Sequence, residues 1–438
     1  MTVMEQISLF IVRMKEDLLN SGISQLKSFH WTEKMALVNL ALMLVSIPFD
    51  SGVGLLFACL WILSIALKNT LLKRWSFFGW HQDKSHTYTT SYLLLIPMMC
   101  LWGMYLLSLL WTENRVTGWG EVGQLVWFLV IPFAFACTDF REISIKCLRI
   151  IMWLNVILLS ALFVVLLMRM IVQASLSAEH SFLWFMMNQD FYYIHHGYMA
   201  LYILTALAFL YDEMKHLNKA NPSRIVLWGV CFVCLVLFLL CINSRAGLLC
   251  LVVLLFLCWL HQTFVRRKYR FAIISLIALS LMVVVVHFSL PQHFRRLSGT
   301  VEQVANGDAS DDRFAIMGNA WKVIQDNVVW GVGAGDRMDE LMPYYGSMED
   351  TYCPHNQFLD TWMATGILGL LALLTMLFYP MIVAWRKKLL FPLLYIIMLA
   401  LSLMFESMLE RQMGVVFVAV MYVYCAMILQ ITDFETNR

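Results

Sequence analysis

Long apolar runs joined by short polar connections make up most of the chain, and one polar stretch, residues 291–360, is out of proportion to every other connection. Crossing the hydrocarbon of a bilayer takes about 20 apolar residues in a helix. Twelve runs approach or exceed that: 35–49, 52–68, 88–110, 123–137, 147–172, 197–211, 225–242, 246–264, 271–290, 361–384, 389–405 and 413–431. An open sheet cannot satisfy its backbone in lipid, so the pattern predicts an all-α integral membrane protein of about twelve transmembrane helices. One large loop, 291–360, is inserted between the ninth and tenth, and a single polytopic domain over 1–438 describes the chain, which shows no internal repeat. Near the N-terminus, Ile7, Phe10, Ile11, Met14, Leu18 and Ile23 keep approximate helical spacing with charges between them, which predicts an interfacial helix. That mixture is unlike a secretory signal, and no cleaved leader is expected.

Composition agrees, since 61% hydrophobic and 14% charged residues lie far from the balance of soluble domains. The net charge of +2 matters less than where the cations sit. Short connections around 68–84, 141–149, 215–224, 266–270 and 386–388 hold seventeen Lys and Arg, whereas the alternate ones and their span ends hold only Arg115, Arg169, Arg245 and Arg411. By the positive-inside rule the cation-rich connections and both termini are cytoplasmic, which puts loop 291–360 on the outer face. Basic residues used in this way give no reason to expect nucleic acid as a partner. Of the eleven cysteines only Cys353 lies in the large loop, so there is no disulfide framework. Cys231 and Cys234 form a Cys-x-x-Cys inside an apolar run and read as buried apolar side chains.

Candidate chemistry gathers on the outer side. In the loop, Asp311 or Asp312 can cap a helix in which Phe314, Met317, Trp321 and Ile324 recur at helical spacing, with Arg313 in its first turn and the glycines between Gly331 and Gly335 ending it. Pro354 suits the first turn of the next helix, placing His355 near a helix start, where it is either a neutral imidazole, favoured by the dipole and able to act as general base, or a histidine hydrogen-bonded at the interface. Ser244 can cap the eighth span and set Arg245 at its positive end, which is either an anion site or a snorkelling arginine. Arg313 is either a second anion-binding guanidinium or the ion-pair partner of Asp311 or Asp312. His195 and His196 open the sixth span, either lining a sugar site or sitting among interfacial aromatics. No outward group has metal-ligand spacing, so neither metal nor other cofactor is expected.

Taken together, Ser244-Arg245-Ala246-Gly247, Arg313 with Trp321 and the turn Trp330-Gly331-Val332-Gly333, and His355-Asn356 with Leu359 and Gly366 resemble the O-antigen ligase and polymerase superfamily, over roughly residues 225–370. The resemblance implies a metal-independent, inverting glycosyltransferase of the bacterial inner membrane, working at the periplasmic face. Its donor would be a glycan on undecaprenyl pyrophosphate, and a ligase would move that glycan to a sugar of lipid A core. Carried over residue by residue, Arg245 and Arg313 would grip the pyrophosphate, His355 would activate or position the acceptor hydroxyl, and Asn356 would lie beside the same substrate. The roles of His195 and His196 are left open by the resemblance.

Polymerases that join O-antigen repeats and oligosaccharyltransferases that load protein Ser or Thr use the same donor, so the acceptor separates them from a ligase. A lipid-linked glycan transporter is the more distant alternative. Such carriers consist of two similar halves, whereas here the longest loop falls asymmetrically after the ninth run.

Overall fold

The computed structural model describes residues 29–72, 89–138, 140, 143–177, 182, 194–217, 222–242, 244–267, 273, 312–344 and 353–436. The N-terminal interfacial segment, the ninth apolar run apart from Ile273, and loop residues 291–311 lie outside them. The described residues form helices and no strand: α1 (Trp31–Ser46), α2 (Ser51–Leu71), α3 (Thr89–Leu93), α4 (Ile96–Ser108), α5 (Arg115–Leu125), α6 (Trp127–Ala136), α7 (Ile145–Leu176), α8 (His196–Leu217), α9 (Pro222–Cys241), α10 (Arg245–Leu260), α11 (Asp312–Asp326), α12 (Arg337–Leu341), α13 (Gln357–Arg386), α14 (Leu390–Phe405) and α15 (Gln412–Thr436).

Eight of these helical stretches are long and apolar enough to cross a membrane, where the hydropathy pattern predicts about twelve. They are α2, α3 with α4, α5 with α6, α7, α9, α10 with its closing π-turn, α13 and α15. Two of the other predicted spans fall on α1 and α14, which are only 16 residues long. The sixth falls on α8, whose apolar middle is shortened by His196 at its start and by Asp212, Glu213 and Lys215 at its end.

The bundle is built round α15. Of its most apolar stretch, 94% is buried, as expected of a helix that is hydrophobic on every side. Its few polar groups are paired: the Tyr422 hydroxyl donates to the carbonyl of Met376 at 2.6 Å and that of Tyr424 to Leu148 at 2.8 Å. At the periphery, α9 and α10 bury only 28% and 17% of the same measure.

Charged pairs gather at the two ends. At one end Glu213 accepts from Arg149, Arg224 and the Trp153 indole, Lys387 meets Asp433 at 2.7 Å, and Lys68 meets Glu33 at 3.4 Å. These are the cation-rich connections. The opposite end carries the loop helices, His195, Arg245, His355 and the α14–α15 connection.

Candidate active site

Loop helix α11 packs through Ile316, Ala320, Val323 and Ile324 onto Met363 and Leu341. α11 forms where the spacing of its apolar residues predicts a helix; α13 lies along the side marked by Ile316, Ala320 and Ile324, and Trp321 stays exposed, set edge-on against Trp362 at 5.6 Å. Arg313 falls in the first turn of α11 as its sequence suggests, with its side chain outside the described residues.

The glycine turn does more than end α11, because it plugs a break in α13. At Gly366 (φ 68°, ψ −166°) α13 leaves helical geometry, in a region open essentially to glycine alone. The freed carbonyls of Met363 and Ala364 accept from the N–H groups of Val332 and Gly333 at 2.8 and 3.1 Å, and the Ile367 N–H donates to Val328 at 3.1 Å. Gly331 (φ 68°) is needed for this approach, since a Cβ there would sit 2.5 Å from the Met363 carbonyl oxygen. The turn is tied to the α4–α5 connection as well: Asp336 accepts from the N–H groups of Glu113 and Asn114 at 2.8 and 2.7 Å, and the Ala334 N–H donates to Ser108 Oγ at 3.1 Å.

Immediately after it, Arg337 is buried against the carboxylates of Asp360, Glu121 (2.8 Å) and Glu410 (3.9 Å). Burial and the nearby Asp360 carboxylate push the Glu410 carboxyl up to about 7, against the pull of Arg337.

The next helix begins at Gln357, and not at Pro354 as the proline suggests. Asn356 is its N-cap, the side-chain oxygen accepting from the N–H groups of Phe358 and Leu359 at 3.0 and 3.2 Å. His355 therefore stands just outside the helix, in a left-handed conformation (φ 48°) uncommon for a residue with a Cβ. Its Nδ1 lies 3.2 Å from Oε2 of Glu406, the residue that ends α14. An ionised carboxylate only accepts, so in this pair Nδ1 carries the proton and Nε2 is the nitrogen left for a substrate.

Against the buried Glu406 side chain lies the backbone of Gly197, which brings in the start of α8. The His195 and His196 rings are 4.1 Å apart, and His195 stands edge-on to Tyr198. Burial, helped by the charge of a protonated His196, lowers His195 to about 4, and Arg411 and His355 act in the same direction. His195 is neutral at pH 7.

Arg245 is the first residue of α10, whose cap is Ser244 as expected, with Oγ accepting from the Gly247 N–H at 3.0 Å. Gly247 packs on Ala200, one turn from His196, so the Arg245 helix start stands beside that of the two histidines. The structure thus brings His195, His196 and His355 together, with Asn356 spent on fixing the helix beneath them. Sequence reasoning put Arg337, Arg411 and Glu406 on the outer side but did not assign them, or Glu410, to the site. For Glu406 a signal existed: a carboxylate closing an apolar run is costly in a bilayer and implies a partner.

A polytopic helical membrane protein with a histidine–carboxylate pair beneath a loop anchored in a broken helix is the class these features define. Residues 230–374, about a third of the chain, match the family model described as O-antigen ligase, over the stretch whose motifs resemble that family. Arg245, Arg313, Asn356 and His355 fall within the match, whereas His195, Glu406 and Arg411 come from helices outside it. A comparison with curated proteins finds no match.

Proposed function

We propose that the protein is a glycosyltransferase that moves a glycan from undecaprenyl pyrophosphate to a sugar of lipid A core, at the periplasmic face of the bacterial inner membrane. The observation that carries this reading is that His355, inside the stretch that matches the O-antigen ligase family, is held by Glu406 from outside it. The acceptor hydroxyl gives its proton to His355 Nε2 while its oxygen bonds to the anomeric carbon. The bond from that carbon to the pyrophosphate oxygen breaks on the opposite side, with inversion, and the electron pair leaves with the pyrophosphate. Arg245 and Arg313 stabilise the charge that gathers there, and Glu406 stabilises the imidazolium. His195 and His196 line the acceptor sugar, a neutral His195 offering a hydrogen-bond acceptor without adding charge. Orientation rests on the cation-rich connections at the opposite end, which the positive-inside rule makes cytoplasmic.

The test is purified protein given the lipid-linked glycan together with three acceptors: lipid A core, a second lipid-linked glycan, and a Ser/Thr-containing protein. Glycosylated lipid A core without any ion gradient is the expected product. Polymer or glycoprotein alone would assign the acceptor otherwise, and movement of the donor across vesicles without transfer would make the protein a transporter. Arg245→Ala and Arg313→Ala should each abolish transfer, with Lys rescuing only partly because a point charge replaces a planar fork. Full activity in both Ala variants would remove the pyrophosphate clamp.

A further inference from the structure

At the end of the bundle opposite His355, a cavity of about 210 Å³ opens between the last turns of α8, the first turns of α9, the close of α10 and the start of α14. Its wall is apolar at Ile225, Trp228 and Leu390, and its polar lining is Lys215, Gln262, Arg266 and the carboxylate of Asp212. Residues His261–Val265 form a π-turn, a widened turn frequent at functional sites, and Arg266 follows it directly.

The polar groups are unequally satisfied. The Tyr211 hydroxyl donates to the Cys258 carbonyl at 2.9 Å and meets His261 Nδ1 at 2.9 Å, so that pair is complete. Lys215 is held by Asp212 at 2.8 Å and keeps further donor capacity. Among the described residues no carboxylate pairs with Arg266, and the carboxamide oxygen of Gln262 is buried without a hydrogen-bond partner. The cavity therefore presents a guanidinium, an ammonium shared with the Asp212 carboxylate, and a buried, unsatisfied acceptor on Gln262. Their complement is a phosphate that carries a hydroxyl.

Location argues that the phosphate belongs to a lipid. α9 and α10 are the least buried of the spans, with Val226, Val230, Phe256 and Phe264 exposed along them, and the cavity sits at their ends, where headgroups lie. Trp228 donates its indole N–H to the Leu210 carbonyl at 2.8 Å from the interfacial level that tryptophan favours. The volume falls below the roughly 300–1,000 Å³ of drug-sized sites, which suits a headgroup whose acyl chains stay in the bilayer.

We propose that this cavity binds the headgroup of an anionic phospholipid of the phosphatidylglycerol type, with the phosphate on Arg266 and Lys215 and a headgroup hydroxyl donating to the Gln262 oxygen. Basic pockets between membrane helices recognise anionic headgroups in this way. The test is native mass spectrometry of the delipidated full chain in detergent, titrated with phosphatidylglycerol, phosphatidic acid or phosphatidylcholine. Arg266 and Lys215 offset by Asp212 leave one net positive charge, which at the membrane surface predicts retention of phosphatidylglycerol about fivefold over phosphatidylcholine. Arg266→Gln with Lys215→Gln should erase that preference, and Gln262→Leu should bring phosphatidylglycerol down to the level of phosphatidic acid. Excess inorganic phosphate should not displace the lipid. Equal retention of the anionic and zwitterionic lipids by the native chain, which needs no variant, would overturn the proposal, as would an unchanged preference in the double variant. Displacement by inorganic phosphate would make this a free-anion site instead.

Discussion

Gly366→Ala tests whether the loop really depends on the break in α13. At φ 68° and ψ −166° the residue occupies a conformation that costs a side-chain-bearing residue about 1–3 kcal/mol, and a Cβ there would be driven into the carbonyl of Val329. Relief requires α13 to straighten, which withdraws the Met363 and Ala364 carbonyls from Val332 and Gly333 and the Ile367 N–H from Val328. The three backbone hydrogen bonds are lost on undocking in either protein, so the substitution acts through the strain it adds to the docked state, and about 1–3 kcal/mol lowers the docked-to-undocked ratio of the turn by about 5- to 150-fold. Hydrogen exchange read by mass spectrometry on peptides covering 328–336 and 363–368 should show those amides lose protection, and transfer should fall with it because His355 stands on the same helix. Gly229→Ala is the control: it lies in α9 with nothing within 4 Å of a new Cβ, and alanine there is neutral or mildly stabilising. Native protection and native activity in Gly366→Ala would refute the reasoning.

The pair at the site makes a second prediction. His355→Ala should lose most of the ~100- to 10,000-fold contribution of a general base, and Glu406→Gln up to about 10,000-fold in kcat with KM for the donor little changed, the order of loss when the carboxylate that orients a general-base imidazole becomes an amide; a Glu406→Gln enzyme with native kcat would end the orienting role. A third concerns pH. Glu410 sits at about 7 when folded, above its ordinary 4.5, so its contribution to stability is present below about pH 4.5 and is lost as pH rises through 7. Glu410→Gln should therefore gain on the native chain between pH 5 and 8 in thermal melts, and parallel curves would dismiss the effect. Comparison with the variant separates Glu410 from His195, whose lowered pKa of about 4 removes stability as pH falls from about 6.5 towards 4.

Much of this end of the molecule was legible in the sequence because its signals are local. Ser244 caps α10 as a serine before an apolar run should, and Arg313 enters its helix in the first turn. The start of α13 was misplaced by three residues because Pro354 and Asn356 both suit a helix start, and the asparagine side chain took two N–H groups that a proline cannot. Helical spacing identifies α11, but only the surface of α13 decides that Ile316, Ala320 and Ile324 are covered while Trp321 is exposed. Glu406 and His355 lie 51 positions apart, and no local pattern announces such a pairing.

That separation also explains how the pair keeps its spacing. His355 hangs on α13, a helix with a break in it, while Glu406 belongs to the connection that leads into α15, the most deeply buried helix of the bundle. Two independently supported groups hold hydrogen-bond distance only if their supports are tied together. Gln357 supplies that tie: its side-chain oxygen accepts from the Leu409 N–H at 2.7 Å, and its amide reaches Thr361 Oγ1 at 3.2 Å. Arg337 adds a second tie by joining Asp360 of α13 to Glu410 of the same connection. The loop that carries Arg337 is itself seated in the break at Gly366. Loop docking, the start of α13 and the His355–Glu406 distance are therefore mechanically one unit, and a substitution that frees the turn is expected to reach the imidazole without touching it.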